Sequence, residues 1–355
     1  VRTPSLLATA CLLFAATTSA QAAEYCVGTT NEFQAALLSA QSQPGFDLIK
    51  VKPGLYTGTP LVQGRALFDF DGVDGLSIRG VKATQAGECI ATHAAPGEVV
   101  LSGSMLHPVM SLRNAGGVNA VTVANLRIVD GLANANRAGG LSLQVAPGLT
   151  SGIAFGFRLV LETNRSFEFF APAAVSLDAR AGEVQVFNSL LRNNTTTGAV
   201  IATLRSFGGT AVFNNNTVVG NQVEMTGRGA LHATGTGTVY AANNVLWNNL
   251  ASGTTALDLT ADSVTALLNN NHIQGTNSVA GGSTGNFLST AGDPLFLGVD
   301  DFRLQGQSPA RNSGTLQATS VNTMELALDL SGRVLGGAID RGAYEFPDVF
   351  RNGFE

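Results

Sequence analysis

The sequence predicts an all-β chain wound into a single parallel β-helix, and three observations carry that expectation. First, asparagine-rich segments recur at a fixed interval. FNSLLRNN, NNTVVGN, NNVLWNN and NNHIQGTN bring Asn188, Asn216, Asn244 and Asn271 into one column, spaced 28, 28 and 27 residues apart. Two places on, Leu190, Val218, Leu246 and Ile273 are all aliphatic. Second, GLSLQ, AVSLD, AVIAT, ALHAT and ALDLT form another family that alternates apolar and polar residues, the pattern of a strand with one buried face. Third, 42 glycines, 13% charged residues and only three lysines leave little material for long solvated helices. Repeats of this length that contain a helical half are excluded, because the recurring residues fall at strand period. Eight or nine coils, roughly 40 Å of stack at about 4.8 Å per coil, are expected.

Taken in order, residues 1–22 read as a secretory signal peptide. Arg2 precedes an apolar run from Leu6 to Ala16, and Ala20-Gln21-Ala22 supplies a small-x-small cleavage site. No later stretch is long and apolar enough to span a bilayer, so no transmembrane segment is expected. Removal of the signal takes Cys11 away and leaves Cys26 and Cys89, which read as one disulfide or as two buried thiols. Residues 23–44 form the N-terminal cap: Thr29 and Glu32 make a capping box, and Phe33, Ala36, Leu37 and Ala40 share one helical face. FDLIKVKPGLY then opens the coils of residues 45–290 as the first strand, turning at Pro53-Gly54. In these coils asparagine is expected at sharp turns, where it tolerates the left-handed conformation and its amide can bond up and down a ladder.

Chemistry-bearing residues are sparse. DFDGVDG (69–75) is the one run with a superficial likeness to a Ca²⁺ loop, but it lacks the spacing and closing Glu of an EF-hand, and its glycines suit a turn. No other cofactor and no metal ligand set is expected, because the four His are scattered and the cysteines show no metal spacing. A formal charge of −5 without any Lys/Arg cluster argues against a nucleic-acid partner. Stacking the second strand family gives an outward column of Ser142, Ser176, Ile201, His232 and Asp258, followed by Gln144, Asp178, Thr203, Thr234 and Thr260. His232 and Asp258 would then lie on adjacent coils with Arg228 nearby, either as an acid/base site or as an exposed ion pair. Trp247, the only tryptophan, is a candidate to stack on a sugar or a side chain covered by a neighbouring turn.

Toward the C-terminus, Asp293-Pro294-Leu295-Phe296, Phe302-Arg303-Leu304, Ser308-Pro309-Ala310, Asp329-Leu330-Ser331-Gly332-Arg333 and Ile339-Asp340-Arg341-Gly342-Ala343-Tyr344-Glu345 follow one another. This order resembles the closing module called the choice-of-anchor Q domain, here residues 291–346. With the repeats before it, residues 45–346 resemble exported bacterial right-handed parallel β-helix proteins of the pectate-lyase-like type. The resemblance implies that Asp340 and Glu345 belong to the architecture of that module, and it implies no single activity. The tail, residues 347–355, resembles short C-terminal tails of some exported bacterial proteins.

Pectate-lyase-like sites need acidic Ca²⁺ ligands with an Arg or Lys base, and hydrolases of this fold need clustered aspartates. Neither constellation is evident in the sequence. The expectation is therefore a secreted or cell-surface, monomeric, non-catalytic β-helix that presents a surface for glycan binding or adhesion. The alternative is a lyase or hydrolase acting on an extracellular polysaccharide.

Overall fold

The computed structural model describes residues 22–116, 119–198, 200–224, 229–251, 254–255, 258–262, 264–275, 278–279, 287–289, 292–315, 326–335 and 338–346. Among the described residues, short strands stack in parallel into a β-helix of about seven turns. The sheet that matters most here has eight strands. In order these are Phe68–Gly72, Met110–Asn114, Leu141–Val145, Val175–Ala179, Ala202–Ser206, Leu231–Gly235, Leu259–Asp262 and Ser278–Val279. A seventeen-stranded sheet takes two strands from each later coil, such as Glu183–Phe187 and Leu190–Arg192, and a short five-stranded sheet closes the third side.

Apolar side chains fill the bore in columns. Leu141, Val175, Ala202, Leu231 and Leu259 stand one above another, and Leu143, Leu177, Leu204, Ala233 and Ala261 form the next column, all buried. The inward family is therefore the expected one, but its register is not. The frame that sets Ile201 and Asp258 in the outward column puts Val200 and Leu257 in the first inward column, where the structure places Ala202 and Leu259. A slip of two residues keeps every side chain on its own face, so alternation alone cannot detect it.

The helix Thr30–Ser42 caps the N-terminal end, with Thr29 and Glu32 forming the expected capping box. Its face of Phe33, Ala36, Leu37 and Ala40 is buried, and Phe33 stacks on Phe68 with ring centroids 4.4 Å apart. The helix thus covers backbone and core that would otherwise be open to other chains. The first strand lies before the helix rather than after it: Glu24–Val27 pairs in parallel with Asp47–Val51, which pairs in turn with Leu76–Gly80. Cys26 of that first strand is joined to Cys89, whose strand Cys89–His93 folds back antiparallel on Leu76–Ala83.

Asparagine serves two purposes, on adjacent residues. Asn188, Asn215, Asn243 and Asn270 take left-handed backbone with φ of 51–56°, in one column with Asn125 and Arg158. The following residue in each of the four later coils carries the ladder. Ser189 N donates to Asn216 Oδ1 (3.0 Å), Asn216 N to Asn244 Oδ1 (2.9 Å), and Asn244 Nδ2 to Asn271 Oδ1 (2.9 Å). Of the four expected ladder residues, Asn216, Asn244 and Asn271 are in place, while Asn188 is the turn residue and Ser189 holds the rung. The doubled asparagines follow from this division: one relieves backbone strain at the corner, and the next satisfies buried backbone groups.

A second ladder, at the next corner, runs from Asn164 through Asn194 and Asn221 to Asn249, each Nδ2 donating to the Oδ1 of the next residue at 2.9–3.0 Å. It ends on Asp258, whose Oδ1 accepts from Asn249 Nδ2 (3.0 Å). A row of amides all donating in one direction needs an acceptor at its end, and a carboxylate supplies one.

The C-terminal segments pack on the outside of the seventeen-stranded sheet. Phe302, Leu328 and Ala343 bury Leu190 and Val219, while Asn188 Nδ2 donates to Leu326 O (2.9 Å) and Asn243 exchanges two hydrogen bonds with the backbone of Thr315. Arg333 is wholly enclosed, donating to the carbonyls of Asp340 and Gly342, with Glu345 Oε1 at 3.3 Å. Asp340 and Glu345 in turn accept from backbone N–H groups, among them Asn312 N, Phe346 N and Asp340 N. Both carboxylates hold this segment together, which agrees with an architectural role.

Candidate functional site

The outward face of the eight-stranded sheet carries two columns of polar side chains, because each strand buries alternate residues. The first reads Asp69, Ser111, Ser142, Ser176, Thr203, His232, Thr260. The second reads Asp71, Arg113, Gln144, Asp178, Arg205, Thr234, Asp262. Hydroxyls dominate one column and charged groups the other, so the face presents a graded strip of donors and acceptors at coil spacing.

Over the first five of these strands the strip deepens into a cleft of about 310 Å³. Two turns build its wall. Asn134 Nδ2 donates to Gly64 O (3.0 Å), tying the turn that holds Asn136 and Arg137 to the one that holds Arg65. Arg65 and Arg137 then reach Asp69 at 2.6 and 3.4 Å. On the floor, Arg113 Nη1 sits 2.9 and 3.1 Å from the two oxygens of Asp71. Asp178 Oδ2 accepts from Gln144 Nε2 (3.0 Å) and Arg180 Nε (3.1 Å). Four guanidinium groups, of Arg65, Arg113, Arg137 and Arg205, line the cleft against the carboxylates of Asp69, Asp71 and Asp178. In a chain of formal charge −5 the cleft carries one more guanidinium than carboxylate and is rich in N–H donors.

No family model and no curated protein matches this chain.

The sequence-predicted site residues fall in different places. DFDGVDG is largely strand, so Asp69 and Asp71 face the cleft on either side of buried Phe70 instead of encircling a loop. Among the described residues no three His, Cys, Asp or Glu side chains converge as a metal site.

His232 does not meet Asp258. Its rung partner is Thr260, the same two-residue slip as in the core, and His232 Nδ1 shares a 2.9 Å hydrogen bond with Thr260 Oγ1. The carboxylate beside it is Asp262, with Oδ2 3.7 Å from Nε2. Asp258 is buried at the corner as the end of the second ladder, where both its oxygens are occupied by Asn249 Nδ2 and the backbone N–H groups of Gln274 and Gly275. Burial pushes its carboxyl up to about 6, against the opposing pull of those hydrogen bonds.

Arg228 lies outside the described residues. Trp247 is half-buried on the seventeen-stranded sheet, packed against the cluster of Val245, Leu304 and Ala310 and beside the ring of His272, on a different face from the cleft.

The sequence places Asp69 and Asp71 in one acidic run and Ser142, Gln144, Ser176 and Asp178 in outward columns, but it singles out none of the arginines of the cleft, Arg65, Arg113, Arg137 and Arg205. Their usable signal is the outward parity of Arg113 and Arg205 in strands whose inward residues are leucines, Leu112 and Leu204.

Proposed function

We propose that this protein binds an extended glycan along the outer face of the eight-stranded sheet, as an exported, non-catalytic β-helix that presents the sugar chain or adheres to it. The observation that carries this reading is the cleft at coil spacing, floored by hydroxyls and amides and walled by arginines. Such a strip suits a polyhydroxylated chain bearing acidic groups, because guanidinium groups recognise carboxylates and sulfates with several donors at once. The signal-like residues 1–22 and the choice-of-anchor Q-like order of residues 291–346 support export and a surface location.

An enzymatic reading has one observation in its favour: Asp69 and Asp71 stand two residues apart on the same face, beside Arg113. A hydrolytic pair, however, needs one carboxyl free to carry a proton. Both carboxylates here are engaged by guanidinium groups, so binding is the better account.

The test is a glycan array combined with an oligosaccharide degradation screen on the mature protein. Binding without products is expected, with affinity that falls as salt rises and falls further in Arg113→Ala. Released products would replace binding with catalysis. Binding by Arg113→Ala equal to that of the wild type, at every salt concentration, would remove the cleft from the account.

A further inference from the structure

The cleft does not end the strip. Two strands on, a separate hollow of about 210 Å³ is lined by Phe170, Thr203, Arg205, His232, Thr234 and Asp262, among others. Its rim is a short turn, Phe167-Glu168-Phe169-Phe170, in which the three phenylalanines are 65, 47 and 65% exposed. Single exposed apolar residues are ordinary, but three in one turn form a patch that calls for a partner. The turn is also held in place. Ser166 Oγ donates to Ala171 O (2.6 Å) at its base, and Arg205 Nη2 donates to Phe170 O (2.7 Å), which fixes Phe170 over the hollow.

We infer that this hollow is a subsite for one sugar ring, stacked on Phe170 and hydrogen-bonded by Arg205, His232 and Asp262. A pyranose has an apolar face of C–H groups and an equatorial girdle of hydroxyls. A flat aromatic ring beside a guanidinium, an imidazole, a carboxylate and two threonine hydroxyls matches both features. A lipid chain or an apolar peptide would leave those polar groups uncompensated. The volume agrees with this ligand, since pockets for drug-sized molecules begin at roughly 300 Å³. Arg205 lines both the hollow and the cleft, so the subsite continues the proposed glycan path and rests on that reading. It assigns a positioning role to Phe170 that electrostatics alone would not require.

The experiment uses the mature protein and neutral, uronate-bearing and sulfated oligosaccharides on an array, with the strongest ligand carried into calorimetry. Phe170→Ala is expected to weaken binding by about tenfold and Phe170→Trp to restore it, while circular dichroism and unfolding stay those of the wild type. Asp262→Asn should shift preference among sugars that differ in hydroxyl configuration. If a glycan binds and Arg113→Ala weakens it while Phe170→Ala does not, the subsite is wrong and the cleft stands. If the wild type binds no glycan, both fail. Concentration-dependent self-association that Phe170→Ala abolishes, without glycan binding, would make the phenylalanine turn a protein contact and overturn the subsite.

Discussion

Asp258→Asn separates two opposing effects at the end of the second ladder. In the folded chain the Asp258 carboxyl is held at about 6, against 3.8 for a free side chain. The ionised form is therefore disfavoured by about 3 kcal/mol on folding. The sign follows from the direction of the shift. A carboxyl raised by folding contributes stability that is fully present below about pH 4 and is lost as pH rises through 6. Asparagine removes the charge but introduces an N–H₂ group where all three neighbours are donors, namely Asn249 Nδ2, Gln274 N and Gly275 N. One donor is then left without an acceptor, at a cost of about 1–3 kcal/mol. At pH 7 the two effects nearly cancel, and the mutant should unfold within about 2 kcal/mol of the wild type. The pH dependence does not cancel. The mutant's stability relative to the wild type should rise by about 2 kcal/mol between pH 4 and pH 7, because the Asp258 contribution is lost over that range only in the wild type. Urea unfolding followed by the fluorescence of Trp247, the single tryptophan, measures this difference at each pH. Parallel profiles for the two proteins would refute the reasoning and mean that the three hydrogen bonds, not burial, set the state of the carboxyl.

Asn216→Leu should cost about 2–4 kcal/mol, since it strips the partners of Ser189 N and Val186 O inside the stack; thermal unfolding unchanged from the wild type would contradict the ladder. Replacing Cys26 and Cys89 together by serine opens a loop of 63 residues and should lower stability by about 4 kcal/mol on a chain-entropy basis, checked by unfolding with and without reductant. Thr29→Ala removes one half of the capping box and should cost about 1 kcal/mol, read as an earlier onset of unfolding. Asn188→Ala, which releases Leu326 O and places alanine in left-handed backbone, should destabilise by about 1–3 kcal/mol, read as a lower midpoint in urea unfolding.

Period, strand alternation and the capping box are local properties, and they sufficed for the coil architecture, the inward family of side chains and the helix at the N-terminal end. The intervals of 28 and 27 residues show that Asn216, Asn244 and Asn271 must stack, because nearly equal coil lengths return the chain to the same place. Which of two adjacent asparagines bends the chain and which holds the ladder depends on the backbone angle at each corner. Asn188 accordingly stands at the left-handed corner, as a turn asparagine is expected to, while the ladder bond falls to Ser189. The pairing of His232 failed for a related reason. Alternation has a period of two, so it settles which face a residue occupies but leaves the stacking free to slip by two, and only the lengths of the turns between strands decide whether Asp258 or Thr260 lies beside it. The cleft was hidden for the same cause: Asp69, Arg113, Arg137 and Asp178 are distant in sequence and become neighbours only when successive coils are laid one on another.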